Sequence, residues 1–162
     1  MESHQNIERA ILRHMIAAMV YRATRTIENA PSEFGAYRAQ DQSRTPLQIL
    51  SHLSDLCDWA LTMSLGRERW HDATPQSWES ETSRFYQSVK HLDDYLAGTS
   101  PVVCSVSRLI QGPVADAISH VGQLAMLRRM SGRPIRGENF FVADIEAGRV
   151  GPDQAPPRKT FE

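Results

Sequence analysis

Two apolar stripes of helical period carry side chains that a hydrocarbon core does not accept unaided, and that combination restricts what the chain can fold into. Asp116 and His120 stand four residues apart, in line with Ala117, Leu124 and Leu127. Four residues along an α-helix return to within ~40° of the same direction, so both polar groups are expected to point where the stripe points, inward. His52 repeats the pattern among Ile49, Leu53, Leu56 and Ala60. Ionisable groups facing a core are costly unless paired or bound to a cation, and two imidazoles with one carboxylate suit a divalent metal. The expectation is a metal site between helices.

The same residues admit a reading without a metal. Asp116 falls in the first turn after Pro113, where a carboxylate favours the positive end of the helix dipole, and His120 is then its i,i+4 partner. His52 is, on that reading, a hydrogen-bonded core histidine.

Breakers and caps divide the chain into four long helical segments. The first is expected from about Asn6 to Asn29, with Ile7, Ile11, His14, Ala18 and Tyr21 on one inward face, ending before Pro31. A polar connector leads to Thr45, an N-cap followed by Pro46 at the first helical position and Gln48 at the third, close to a capping box. That connector is long for a tight antiparallel pair and permits a crossover. The second helix runs from Pro46 to about Leu65 and stops at Gly66. Ser77 caps a third, with Trp78, Phe85, Val89, Leu92 and Leu96 at a spacing of three and four, ending at Gly98. The segment VVCSVSRLIQ favours a short extra helix, and Pro113 opens the last long helix, which ends at Gly132 and Pro134. Phe140, Phe141, Val142 and Ile145 suggest one packed segment before an irregular, proline-rich C-terminal stretch.

The fold class expected from this pattern is all-α, a four-helix bundle formed by one domain over residues 1–162. Eighteen basic against nineteen acidic residues leave a net charge of −1 with no long run of either sign. Nucleic acid is therefore not an expected partner. The opening thirty residues are amphipathic, and Arg13, His14 and Arg22 break their apolar centre, which fits neither a signal peptide nor a membrane span. The two cysteines, Cys57 and Cys104, form no CxxC pair, as suits a reducing cytoplasm.

The stretch RTPLQILSHLSDLCDWAL, with His52 at its centre, resembles the first ligand segment of the DinB-like superfamily of four-helix metalloproteins, and GPVADAISHVGQLAMLRRMSG resembles the second. Members typically carry one histidine in the second helix and two in the last, the second of these followed by a motif like RGQ. Here His120 takes that second place, followed by Val121, Gly122 and Gln123, while Asp116 stands in the first. The resemblance implies an up-down-down-up bundle, often a homodimer, with a metal in a pocket open to solvent. Its characterised members include metal-dependent thiol transferases and a thiol-dependent isomerase. The exchange of histidine for Asp116 makes the site harder and lowers its charge, so zinc, nickel, manganese and iron all stay open.

Other residues have weaker claims. His14 can supply a pocket group or lie at a core or dimer face. Gln123 can hydrogen-bond a ligand or metal-held water, or be an amide satisfied by backbone. Glu138 can cover the pocket mouth or cap the following turn. Cys57 and the three tryptophans read as packing residues, and His4, His71 and His91 as solvated. No nucleophile, phosphate loop or general base stands out beyond the ligand set. A cation with open positions lowers the pKa of water or of a small thiol, which favours metal-centred transfer or hydrolysis with a thiol or electrophilic small molecule as substrate. The alternative is a non-catalytic homodimeric binding or stress-related module in which the metal, or the Asp116–His120 pair, is structural.

Overall fold

Capping chemistry sets most of the helix bounds. In the computed structural model, which describes residues 4–161, α1 (His4–Ile27) gives way to Asn29, whose φ of 55° is the left-handed conformation that ends helices. A 3-10 turn, Ser32–Ala36, leads toward α2 (Pro46–Ser64). The Thr45 hydroxyl accepts from the Gln48 N–H at 3.2 Å, and the Gln48 side chain accepts from the Thr45 N–H at 2.9 Å, which completes the capping box. Ser77 caps α3 (Trp78–Ala97) through the Ser80 N–H, with Glu79 and Glu81 in the first turn.

The last helical stretch starts earlier than Pro113. A short α4 (Val106–Leu109) passes through a widened π turn, Ile110–Val114, into α5 (Ala115–Met130). Pro113 lacks an N–H and its ring crowds the carbonyl four residues back, so the chain widens around it instead of starting afresh.

Named contacts give the helix directions. The Arg13 guanidinium makes a two-pronged bond to Asp93 at 2.8 and 2.9 Å, and Thr24 meets Tyr86, so α1 and α3 run opposite ways. Arg84 reaches Ser51 and Asp55 while Tyr95 donates to the Ser64 carbonyl, so α2 and α3 are parallel. Arg128 donates to the Thr26 carbonyl at 2.9 Å, joining the C-terminal ends of α1 and α5. Ile49 shares a groove with Leu127, and Met63 another with Pro113, so α2 and α5 are antiparallel. Residues 65–77 therefore form the crossover, and the connector before α2 stays at one end of the molecule.

These helices enclose a continuous apolar core that includes Leu12, Ile16, Val20, Leu50, Leu53, Phe85, Val89 and Leu124. Each such side chain contributes roughly 1.5–3 kcal/mol on burial. No strand occurs among the described residues; a lone bridge pairs Glu138 with Thr160. No helix among them is long and apolar enough to cross a membrane.

Two expected faces are corrected. Ile7, Ile11 and His14 are exposed, and the inward face of α1 runs through Leu12, Ile16, Val20 and Ala23. Arg9 also lies inward, because its guanidinium meets the Gly98 and Ser100 carbonyls beyond the end of α3. In the C-terminal stretch Phe140 packs edge-on to Tyr21 beneath Arg22, and Ile145 packs against the core. Phe141 and Val142 face solvent.

Candidate metal centre

The antiparallel helices α2 and α5 pack side by side, and each contributes to one cluster from its N-terminal half. The Thr45 cap fixes the phase of α2, which puts His52 two turns in. The π turn at Pro113 sets the phase of α5, which puts Asp116 and His120 on the side facing His52. One ligand atom from each of the three lies within 4.8 Å of the others. His52 Nε2 is 3.5 Å from one Asp116 oxygen, and His120 Nδ1 is 3.3 Å from the other. The two imidazole rings sit 4.7 Å apart, centre to centre.

The residues fit a divalent ion. Ligands held at about 2.1 Å in a tetrahedral shell are roughly 3.4 Å from one another, and the 3.5 Å between His52 Nε2 and the Asp116 carboxylate matches that spacing. The His120 Nδ1 lies 2.9 Å from the Asp116 carbonyl oxygen. A carbonyl only accepts, so Nδ1 carries the proton and Nε2 keeps the lone pair. This is the tautomer that metal-ligating histidines commonly adopt.

The centre lies at the rim of the bundle. His52 and His120 side chains are 18% and 11% exposed, against 47% for Asp116. The expectation that Asp116 points inward is thus corrected: its stripe reaches the surface there, and the cluster opens to solvent on the carboxylate side. Burial pushes the His52 imidazole below its ordinary value, repulsion from His120 and Arg44 adds to this, and Asp116 works against it. A neutral imidazole is the form that ligates.

Two residues with no site signal in the sequence complete the surroundings. Trp70 packs edge-on against His52 at 5.6 Å and against Trp59 at 5.7 Å, so it walls the site from an exposed position outside the core. The Arg44 Nη1 lies 3.4 Å from His120 Nε2. Trp70 belongs to the crossover, which is tied down through buried charges. Asp55 accepts from the Ala73 N–H, Glu81 accepts from the Gln76 N–H, and Arg84 joins both carboxylates at 2.8 Å.

The remaining expected site residues lie elsewhere. His14 is exposed on the outer side of α1. Gln123 is exposed and makes no side-chain hydrogen bond among the described residues; it lines a groove beside Arg44. Glu138, with a side chain only 3% exposed, neither covers the site nor caps the next turn. It accepts from the Tyr21 hydroxyl at 2.5 Å and lies 3.6 Å from Arg25 Nε, pinning the C-terminal stretch to α1. The cap of that turn is the side chain of Asn139.

Comparison with protein-family profiles, curated proteins and solved structures finds no match to this chain.

Proposed function

We propose that this chain is a DinB-like metalloprotein that holds zinc, nickel, manganese or iron on His52, Asp116 and His120 and uses it for thiol transfer or a related hydrolysis. The observation that carries the reading is the convergence of three ligand atoms, from two helices far apart in sequence, within 4.8 Å. The opposed pairs α1/α5 and α2/α3 also follow the up-down-down-up course that the resemblance implies. A bound cation supplies Lewis acidity, lowering the pKa of water or of a small thiol. The protein's own residues do the rest: His52 and His120 bind as neutral donors, Asp116 supplies charge on the open side, and Trp70 excludes water from one flank. The partners proposed are a small thiol or an electrophile. A second copy of the chain would have exposed Ile7 and Ile11 as apolar contact surface. Both cysteines are free, which accords with a reducing cytoplasm.

The test is metal content after purification without chelator or affinity tag. Near-stoichiometric metal in the parent protein, lost in both His52→Ala and His120→Ala, is the expected result. Metal content unchanged in the variants overturns the assignment. One observation favours the structural alternative: Asp116 already contacts both histidines, an arrangement of charge that is complete without a cation. On that reading the protein binds no metal and both variants lose stability instead.

A further inference from the structure

Arg44 has no part in the ligand set, yet its guanidinium is aimed at it. With His120 Nδ1 committed to the Asp116 carbonyl, the Arg44 contact falls on the lone pair of Nε2, the atom that ligation uses. A guanidinium and a metal ion exclude each other from one lone pair. Arg44 is exposed, no carboxylate pairs with it among the described residues, and it directly precedes the Thr45 cap. Its side chain therefore lies open to solvent, while its backbone is fixed at the edge of the site.

Beside Arg44 lies a groove of about 430 Å³ with Ile49, Met126 and Leu127 as its apolar wall and Ser119 and Gln123 on its polar side. The charge around the cluster is one-sided. A dication with one carboxylate ligand keeps a net positive charge, and Arg44 adds another, so the ligand that balances this end of the molecule is an anion.

We propose that the substrate is an organic anion, a carboxylate in its simplest form, whose charged group is received by Arg44 at the open side of the centre and whose apolar chain lies in the Ile49–Met126–Leu127 groove. This rests on the metal-centre reading. Arg44 acts as a positioning and specificity residue: it selects charge and orients the substrate without exchanging a proton. The planar fork of the guanidinium matches a carboxylate in a way that an ammonium does not.

The experiment uses the full chain loaded with cobalt(II), whose visible absorption reports ligand exchange, titrated with hexanoate, acetate and hexanol. Hexanoate is expected to shift the spectrum and saturate, acetate to do so more weakly, and hexanol not at all. In Arg44→Gln the half-saturation point for hexanoate is expected to rise about tenfold, the low end of what a charged hydrogen bond contributes. Arg44→Lys should fall between, and cobalt affinity in Arg44→Gln should equal or exceed that of the parent. If cobalt loads but hexanoate binds Arg44→Gln within twofold of the parent, or hexanol shifts the spectrum as hexanoate does, this inference fails and the metal centre stands. If the parent takes up no cobalt, both fail.

Discussion

Arg84→Met tests whether the crossover that carries Trp70 is held by charge. The Arg84 guanidinium donates to Asp55 and Glu81 at 2.8 Å each, to the Ser51 carbonyl at 2.8 Å and to the Ser51 hydroxyl at 2.7 Å. Both carboxylate side chains are 2% exposed. Methionine keeps most of the side-chain volume and removes every donor, leaving each carboxylate with one backbone N–H and no cation. Removing one partner of a buried ion pair costs about 3–5 kcal/mol, because the other charge stays behind without compensation. Arg84 is 27% exposed, so water reaches part of the site, and the expected loss is about 3 kcal/mol, the low end of that range. For a chain of this length, that lowers the melting temperature by roughly 6–12 °C. Urea unfolding followed by circular dichroism measures the free energy, and tryptophan emission reports the crossover through Trp59 and Trp70. The triple variant Arg84→Met/Asp55→Asn/Glu81→Gln, which removes the stranded charges, should recover at least half of the loss. A loss below about 1 kcal/mol for Arg84→Met alone would place these pairs among solvated surface bridges and show that charge does not hold the crossover.

Two further outcomes follow from the titrating groups. The folded-state pKa of His52 lies below its ordinary 6.5, so as pH falls the unfolded chain takes up that proton first; the stability is fully present above about pH 6.5 and is lost as pH drops through that value toward the folded one. In metal-free protein, the stability advantage of the parent over His52→Gln should therefore shrink between about pH 7.5 and pH 5.5, and a pH-independent difference in urea unfolding would contradict it. Burial pushes the Cys57 thiol up to about 12. An aromatic disulfide reagent at neutral pH should therefore modify Cys104 alone in the native protein and both cysteines in urea, and prompt reaction at Cys57 in a Cys104→Ser variant would count against this burial.

The helix bounds legible in the sequence are those written in local chemistry. Thr45, Pro46 and Gln48 specify the start of α2, Ser77 that of α3, and Gly66 and Gly98 the ends, because a cap needs only residues within a few positions of each other. The pairing of Asp116 with His120 was legible for a related reason, since helical spacing converts directly into a shared direction, whereas the place of His52 beside them was read from its own apolar stripe and from the family resemblance. The face of α1 was not. Ile7 and Ile11 are apolar but outward, whereas Arg9 and Thr24 are polar but inward, satisfied by α3-end carbonyls and by Tyr86. Those partners lie more than sixty residues away, beyond the reach of a periodicity argument. Trp70 and Arg44 escaped for the same reason. Each sits outside a helix, and only tertiary packing brings it to an imidazole.

The contrast between Asp116 and the two histidines separates the demands of folding from those of the site. The imidazoles belong to helix faces that the core already orders, so their positions are fixed by the same apolar packing that holds α2 against α5. Asp116 is half in water, and little else in the fold depends on it. A carboxylate in that place leaves the cluster open to solvent on one side. The Arg44 guanidinium stands against His120 Nε2, and the groove continues from it over Ile49 and Leu127, which are themselves core residues. On the proposed reading, donors ordered by the core and an exposed guanidinium beside them would hold a cation in place and admit a charged substrate from one side.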